Sequence, residues 1–127
     1  MEIQGLEVKG LDVVEISQIL EKYVADYFNG YELSTGRSMF MEDYVLHFDE
    51  VNELIPAKHH HHFTDDSKFT CMSGYIIIDY VAGKVDERVA MLLMDEHSTY
   101  VYMLCVQEVD EKGVEKTVII KDFMDSQ

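Results

Sequence analysis

Apolar residues near the start of the chain recur with the period of an α-helix. Within "LDVVEISQILEKYVADYFNG", residues 11–30, one side of such a helix carries Val13, Ile16, Leu20, Tyr23 and Tyr27. Asp12 and Glu15 have the spacing of a capping box at its start, and Asn29-Gly30 supplies a stop signal. The pattern therefore predicts an amphipathic helix in this segment.

The next apolar pattern, in residues 38–55, fits two kinds of structure. A helix would carry one apolar face with spacings of three and four residues, formed by Phe40, Tyr44, Phe48, Val51 and Ile55. A strand over "YVLHFDEV" would instead place Tyr44, Leu46 and Phe48 on one face. The helical pattern is longer and separates the acidic residues from the apolar face, so we predict a second helix that ends at Pro56.

In the second half of the chain the pattern changes to runs rich in β-branched and aromatic residues. Four such runs are "FTCMSGYIIIDYVAG", "VDERVAMLLMD", "STYVYMLCVQEVD" and "VEKTVIIKDF". Short turn sequences separate them, which predicts an antiparallel meander, and Gly74 indicates a bulge in the first strand. The alternation of Leu6 and Val8 with polar neighbours indicates one more short strand at a sheet edge.

These elements predict a single α+β domain over residues 1–127, with two N-terminal helices packed on a four- to five-stranded antiparallel β-meander. The central runs "GYIIIDYV" and "VAMLLM" are apolar on both faces, so both faces of the sheet should be covered. The helices account for one face. The other face is a second layer, the lining of a pocket or a partner surface.

The charge of the chain restricts its partners. Twenty-five acidic residues against ten basic ones give a formal net charge of −15, which repels nucleic acid and anionic membrane surfaces and attracts basic proteins. The same acidity also serves solubility alone. Cys71 and Cys105 lie in apolar runs, as buried free thiols do, and neither a signal peptide nor a membrane span is evident, so we expect a cytoplasmic protein.

Four consecutive histidines, His59 to His62, are the most unusual local feature of the sequence. On an extended chain, side chains alternate in direction, so His59 and His61 would be a candidate metal-binding pair, as would His60 and His62. Because such pairs lack further ligands, we expect a solvated loop without a metal of its own. Asp65 and Asp66 would favour protonated histidines, which gives a pH-dependent contact with the acidic helix as a second reading.

The remaining polar residues give no catalytic signature. His97 with Asp95 and Tyr100 resembles an acid–base group, but the first two fall in a predicted hairpin turn, where polar residues are ordinary. His47 fits a partly buried helix position. No phosphate-binding loop, nucleophile elbow or activated cysteine is present in the sequence, so we predict a protein that is not an enzyme and needs no cofactor.

Acidic residues without nearby bases form the most distinctive group. The predicted second helix carries five of them and no lysine or arginine, and others surround the last predicted hairpin. A partner's lysines and arginines would bind such carboxylates as they bind phosphates. The candidate partner-binding residues are Glu42, Asp43, Asp49, Glu50, Glu53, Glu108, Asp110 and Glu111.

In size and in the acidic stretches "MEDYVLHFDEVNE" and "EVDEKGVEK", the chain resembles small phage-encoded inhibitors of host defence, including anti-CRISPR and anti-restriction proteins. Some members of that class act as DNA mimics. The resemblance implies an inhibitor that occludes the basic nucleic-acid-binding surface of a protein partner, such as a host-defence nuclease, in the host cytoplasm. No residue role can be transferred, because the class shares no fold.

A helix-then-meander order also resembles the NTF2-like and cystatin-like folds, with "TVIIKDF" as the closing strand. That resemblance implies, as the alternative function, an apolar small-ligand pocket between helices and sheet. Tyr75, Ile77, Met91 and Met103 would line it. Tyr100 and Tyr102 would either contribute to a partner surface or pack beneath the helices, and a homodimer joined through the open sheet face is a third alternative.

Overall fold

One antiparallel sheet organises the structure, a computed structural model that describes residues 5–27, 31–33, 42–80 and 85–126. In the described residues its strands are β1 (Leu6–Glu7), β2 (Tyr31–Leu33), β3 (Glu42–His47), β4 (Lys68–Tyr80), β5 (Val85–Asp95), β6 (Tyr100–Val109) and β7 (Glu115–Asp122). The helices are α1 (Val13–Tyr27) and the one-turn α2 (Phe48–Val51), with 3-10 turns at Asn52–Leu54, Ala57–His62 and Phe123–Ser126.

The predicted antiparallel meander is confirmed, since β4 to β7 pair in sequence order with antiparallel register. The short strands β1, β2 and β3 pair with strands of this meander. Both β2 and β3 pair with β4, at opposite ends of that long strand, and β1 pairs with β6 beyond the end of β7. The mixture of helix and antiparallel sheet is therefore α+β, as expected.

The predicted helix α1 begins with the predicted capping box. The Glu15 N–H donates to Asp12 Oδ1 at 2.8 Å, and the Asp12 N–H faces Glu15 Oε1 at 3.4 Å. These bonds satisfy backbone donors that the first helical turn would otherwise leave unpaired. The helix ends at Tyr27, and the predicted stop at Asn29-Gly30 lies outside the described residues.

The prediction of a second helix over residues 38–55 is wrong. Residues 42–47 form β3, whose backbone pairs with β4 from Glu42↔Ser73 to His47↔Lys68. Half-buried Tyr44 and Leu46 alternate with exposed neighbours, as the strand alternative required. The helical spacing misled because Phe48, Val51 and Ile55 do share a buried face, but on short helical turns after the strand.

Both faces of the sheet carry a buried apolar cluster. The first cluster combines Ile16, Leu20 and Val24 of α1 with alternate residues of β5 and β6. The second cluster combines residues of β4, β5 and β6 with apolar side chains of residues 48–63. We call residues 48–63 the crossing segment, because they leave β3 at one side of the sheet and reach β7 at the other. The second layer expected from the two-sided apolar strands is this segment.

A bulge in β6 shifts the side chains of the second cluster. Leu93 pairs with Met103 and Met94 pairs with Val101, so Tyr102 is the extra residue. Tyr102 and Met103 consequently both lie in the second cluster, although they are consecutive. The bulge predicted at Gly74 is wrong, since Gly74 pairs with Ala90 in a continuous register.

Candidate functional site

Three short segments meet at one end of the sheet. Residues 47–50 lead from β3 into α2, residues 64–67 form the turn before β4, and residues 95–98 form the turn between β5 and β6. The Phe48 N–H donates to the Ser67 carbonyl at 2.8 Å, which joins the first two segments. Thr70 Oγ1 donates to the Glu96 carbonyl at 2.9 Å, which ties the third segment to β4.

Exposed carboxylates concentrate on these three segments, which we call the acidic end. Its exposed acids are Asp49, Glu50, Asp65, Asp66 and Glu96. The three segments contain no lysine or arginine, and the exposed Lys68 directly follows the second. Partly screened carboxylates at one end of a sheet present a local negative surface to solvent. Five exposed acids thus lie on three segments that contain no lysine or arginine.

Local hydrogen bonds lower the pKa of one acid at this end and fix the orientation of another. The His47 N–H donates to Glu50 Oε1 at 3.0 Å, and this bond, with the His47 side chain, holds the pKa of Glu50 below its usual value. Asp95 turns inward instead, because its Oδ1 accepts from the backbone N–H groups of Thr99 and Tyr100, each at 2.6 Å. Asp95 therefore shapes the turn, in accord with the hairpin reading of Asp95 and His97.

The predicted partner-binding residues do not lie in one place. Asp49 and Glu50 lie at the acidic end, and Glu53 is exposed on the crossing segment. The backbones of Glu42 and Asp43 are in β3, and their side chains lie outside the description. The other three, Glu108, Asp110 and Glu111, lie at the far end of β6, about 30 Å away along a ten-residue strand.

Two of the three distant acids, Asp110 and Glu108, are engaged within the chain. Asp110 Oδ1 accepts from the N–H groups of Lys112 and Val114, at 2.8 and 2.9 Å, and so closes the turn before β7. Glu108 Oε2 lies 3.7 Å from Arg88 Nε. Burial, followed by a hydrogen bond to Glu108, raises the pKa of the Tyr27 hydroxyl. The structure therefore does not join these acids to the candidate patch.

Sequence reasoning missed Asp65, Asp66 and Glu96 as members of an acidic surface. In the sequence, Asp65 and Asp66 stand out only as neighbours of the histidine run, and Glu96 lies between Asp95 and His97 in a predicted turn. Asp65 and Asp66 could have been assigned to this surface from the pairing of β3 with the first residues of β4. This register places the turn before β4 next to the start of α2. That register depended on recognising β3 as a strand.

The histidine run is a 3-10 turn, not the extended loop from which the metal-binding pairs were deduced. His59 is 8% exposed, whereas His61 and His62 are exposed and their ring centroids lie 3.9 Å apart. The structure thus does not place His59 and His61 as an alternating pair. Nε2 of His60 lies 2.7 Å from the Ile55 carbonyl and 3.1 Å from the Asn52 carbonyl, so its ring holds the preceding turn.

Protonation of His62 is less favoured than the sequence suggested. Partial desolvation, then the neighbouring His61, lowers the pKa of His62. The two rings are in contact, and two adjacent cations would repel each other. This direction opposes the expectation that Asp65 and Asp66 would stabilise the charged form.

A polar cluster joins the histidine run to the C-terminal end of β7. His59 Nε2 lies 2.9 Å from Asp122 Oδ2, and Lys58 Nζ lies 2.7 Å from Asp125 Oδ2. The hydrogen bond from Lys58 holds the pKa of Asp125 below its usual value. Donor atoms of His59, Asp122 and Asp125 all lie within 4.8 Å of one another. Among the described residues this is the group whose donor set matches a metal ion.

The two cysteines are buried thiols, as the sequence indicated. Burial raises the pKa of Cys71 to about 11 and that of Cys105 to about 12. A nucleophilic cysteine needs a lowered pKa and access to solvent. Cys71 and Cys105 therefore lack the features of a nucleophilic cysteine.

The candidate pocket residues Met91 and Met103 belong to the second cluster, and Met103 is fully buried there. The side chains of Tyr75 and Ile77 lie outside the description, so the pocket stays a prediction. Tyr102 is 6% exposed, and its ring centroid lies 6.1 Å from that of Phe63 on the crossing segment. Tyr102 therefore packs beneath the crossing segment, and Tyr100 contacts the same cluster.

Comparison of the chain with protein-family models, with curated proteins and with solved structures found no match. In the part of the chain that the structure describes, no helix combines the length and apolar character needed to cross a membrane. The two candidate sites of the chain are the acidic end and the polar cluster around His59.

Proposed function

We propose that this chain is a non-enzymatic binding protein whose acidic end docks on the basic, nucleic-acid-binding surface of a partner protein. The observation that carries the proposal is the gathering of five exposed acids on three chain segments that contain no lysine or arginine. Acidic residues that are neighbours in sequence can reflect composition alone. Carboxylates from segments distant in sequence form a shaped surface that a partner can recognise.

The mechanism is competition for a phosphate-binding surface. Arginine and lysine side chains that bind phosphate oxygens also form charge-assisted hydrogen bonds with carboxylates. The overall charge of −15 steers the chain toward a basic groove and away from nucleic acid itself. A bound copy of this chain then blocks access of DNA or RNA, which is the action of an inhibitor. Nucleases of host-defence systems have basic nucleic-acid-binding surfaces of this kind and are the class of partner that we propose.

The test uses two triple variants with the same change in net charge. Asp49→Lys, Asp66→Lys and Glu96→Lys together reverse one acid on each segment of the acidic end. The matched control, Asp26→Lys with Glu111→Lys and Glu115→Lys, reverses three exposed acids elsewhere. Each protein is immobilised, exposed to a cell lysate, and its captured proteins are identified by mass spectrometry at low and high salt.

Capture should enrich nucleic-acid-binding proteins, fall at high salt and fall when duplex DNA is added as competitor. The acidic-end variant should lose this capture and the control variant should keep it. Equal capture by both variants, or capture that neither salt nor DNA weakens, contradicts the proposed docking surface.

A further inference from the structure

We propose that His59, Asp122 and Asp125 form a binding site for a divalent transition-metal ion of the zinc class. The site differs from the alternating pairs, His59 with His61 and His60 with His62, that the sequence predicts as candidates. Its ligands come from the crossing segment and from the end of β7, and only one of them is a histidine. The proposal is independent of the acidic end.

The geometry of the cluster is close to that of a metal site. His59 Nε2 and Asp122 Oδ2 are 2.9 Å apart, a hydrogen-bond distance, and they need to separate only to about 3.4 Å to become adjacent ligands that each lie about 2.1 Å from one tetrahedral ion. The three donor atoms lie within 4.8 Å of one another, somewhat wider than a bound set. Asp125 is exposed, so rotation of its side chain can close this gap without moving the buried partners.

Burial and backbone bonds orient the two inner ligands. His59 is nine-tenths buried, with its Nε2 directed at the carboxylate of Asp122. The other oxygen of that carboxylate, Oδ1, accepts from the N–H groups of Met124 and Asp125, at 3.0 and 3.2 Å. Such outer hydrogen bonds fix a ligating carboxylate in metal sites. They leave Oδ2 facing the imidazole.

The charge of the cluster favours a cation. The carboxylates of Asp122 and Asp125 carry two negative charges; the ammonium of Lys58 contacts Asp125 Oδ2, and Lys121 is close enough to help lower the pKa of Asp125. An incoming divalent ion would replace this ammonium at Asp125. Lys58 is half-exposed and can move into solvent, so it competes with the metal without blocking the site.

The donor set selects the class of metal. One imidazole nitrogen with two carboxylate oxygens suits zinc, cobalt or manganese, whereas calcium and magnesium prefer oxygen ligands alone. Three protein ligands leave at least one coordination position for water. The probes are therefore zinc and manganese, with magnesium as the comparison ion.

The experiment is calorimetric titration of the tag-free, chelator-treated full chain with zinc chloride. Exposed histidines are common metal ligands, so the reference protein carries His61→Ala and His62→Ala to remove any contribution of these two side chains to zinc binding. This reference should bind one zinc ion, and magnesium at least tenfold more weakly. Adding Asp125→Asn or Asp122→Asn should weaken zinc binding at least tenfold.

Lys58→Met gives the sharpest test. Removing the competing ammonium should tighten zinc binding several-fold, whereas binding to a flexible histidine run would not respond. Manganese should broaden amide resonances around His59 and Asp122–Asp125 in the NMR spectrum of the reference protein. Loss of zinc binding in the reference protein overturns the proposal. Zinc binding that is unchanged by both Asp125→Asn and Lys58→Met also overturns the proposal. Because both substitutions replace exposed side chains, they should leave the protein folded, so a change in zinc binding reports on the site itself.

Discussion

His59 and Asp122 are hydrogen-bonded at 2.9 Å although they are 63 positions apart in the chain. The bond connects the crossing segment to the last strand of the sheet, and both side chains are largely shielded from solvent. The bond closes a long loop over the second apolar cluster, and so it adds a polar attachment to the apolar contacts that the crossing segment makes there.

We predict that His59→Ala lowers the free energy of unfolding by about 1–3 kcal/mol in metal-free buffer, because it leaves a shielded oxygen of Asp122 without its partner. Urea denaturation in the presence of a chelator measures this change. His61→Ala, at an exposed position of the same turn, should change stability by less than about 0.5 kcal/mol. Equal effects of the two substitutions would show that the His59–Asp122 bond contributes nothing.

Phe48 anchors the start of the crossing segment. Its ring centroid lies 5.0 Å from that of His60, 5.4 Å from Phe63 and 6.3 Å from Phe69, and the residue is 7% exposed. We predict that Phe48→Ala destabilises the fold by about 3–5 kcal/mol, since it removes a buried ring and leaves a cavity.

Val45→Ala, three residues earlier on β3, is the matched comparison for Phe48→Ala. Val45 is 55% exposed, so its truncation should cost less than about 1 kcal/mol. Thermal or urea unfolding of both variants provides the measurement. A small effect of Phe48→Ala would mean that the crossing segment does not stabilise the sheet face.

The sequence predicts best where local pattern and structure agree. The capping pair Asp12 and Glu15 and the four strand runs of the meander were recognisable, because each depends on residues close together in the chain. The second helix failed because Tyr44 and Leu46 serve a strand while Phe48 begins a helical turn. One apolar stripe therefore spans two elements, and periodicity cannot place the boundary between them.

The sites were less predictable than the fold, because they depend on contacts between distant segments. Nothing near His59 in the sequence indicates Asp122 as its partner. The acidic end likewise requires the register of β3 on β4, which brings Asp66 and Asp49 to one end of the sheet. The composition predicts a negatively charged surface, but the positions of the exposed acids relative to one another depend on the tertiary structure.

The buried thiols should be unreactive in the folded protein. The pKa values of about 11 for Cys71 and about 12 for Cys105 leave little thiolate at pH 8. We predict that a thiol reagent labels the native protein at least ~100-fold more slowly than the urea-unfolded protein, because the thiolate is the reacting species. Absorbance of a disulfide reagent follows both reactions. Rapid labelling of native protein would show that the second cluster opens readily.

The raised pKa values also predict alkaline destabilisation. A thiol whose pKa is higher in the folded state than in the unfolded state keeps its proton in the folded protein, while the unfolded chain releases it. Stability is therefore complete below pH 9, the ordinary thiol pKa, and is lost as pH rises toward 11 and 12. Burial raises the pKa of Tyr102 from 10.0 to about 12, and this adds to the loss above pH 10.

Urea unfolding at constant ionic strength between pH 8 and pH 11 measures this loss. Each such group contributes a slope of up to about 1.4 kcal/mol per pH unit. Cys105→Ala should lower stability at pH 8, because it truncates a buried side chain, but it should make the decline above pH 9 less steep. The difference in slope between the two proteins isolates the thiol from the repulsion that the net charge of −15 adds at high pH. Identical slopes for the two proteins would mean that Cys105 ionises as readily in the folded chain as in the unfolded one.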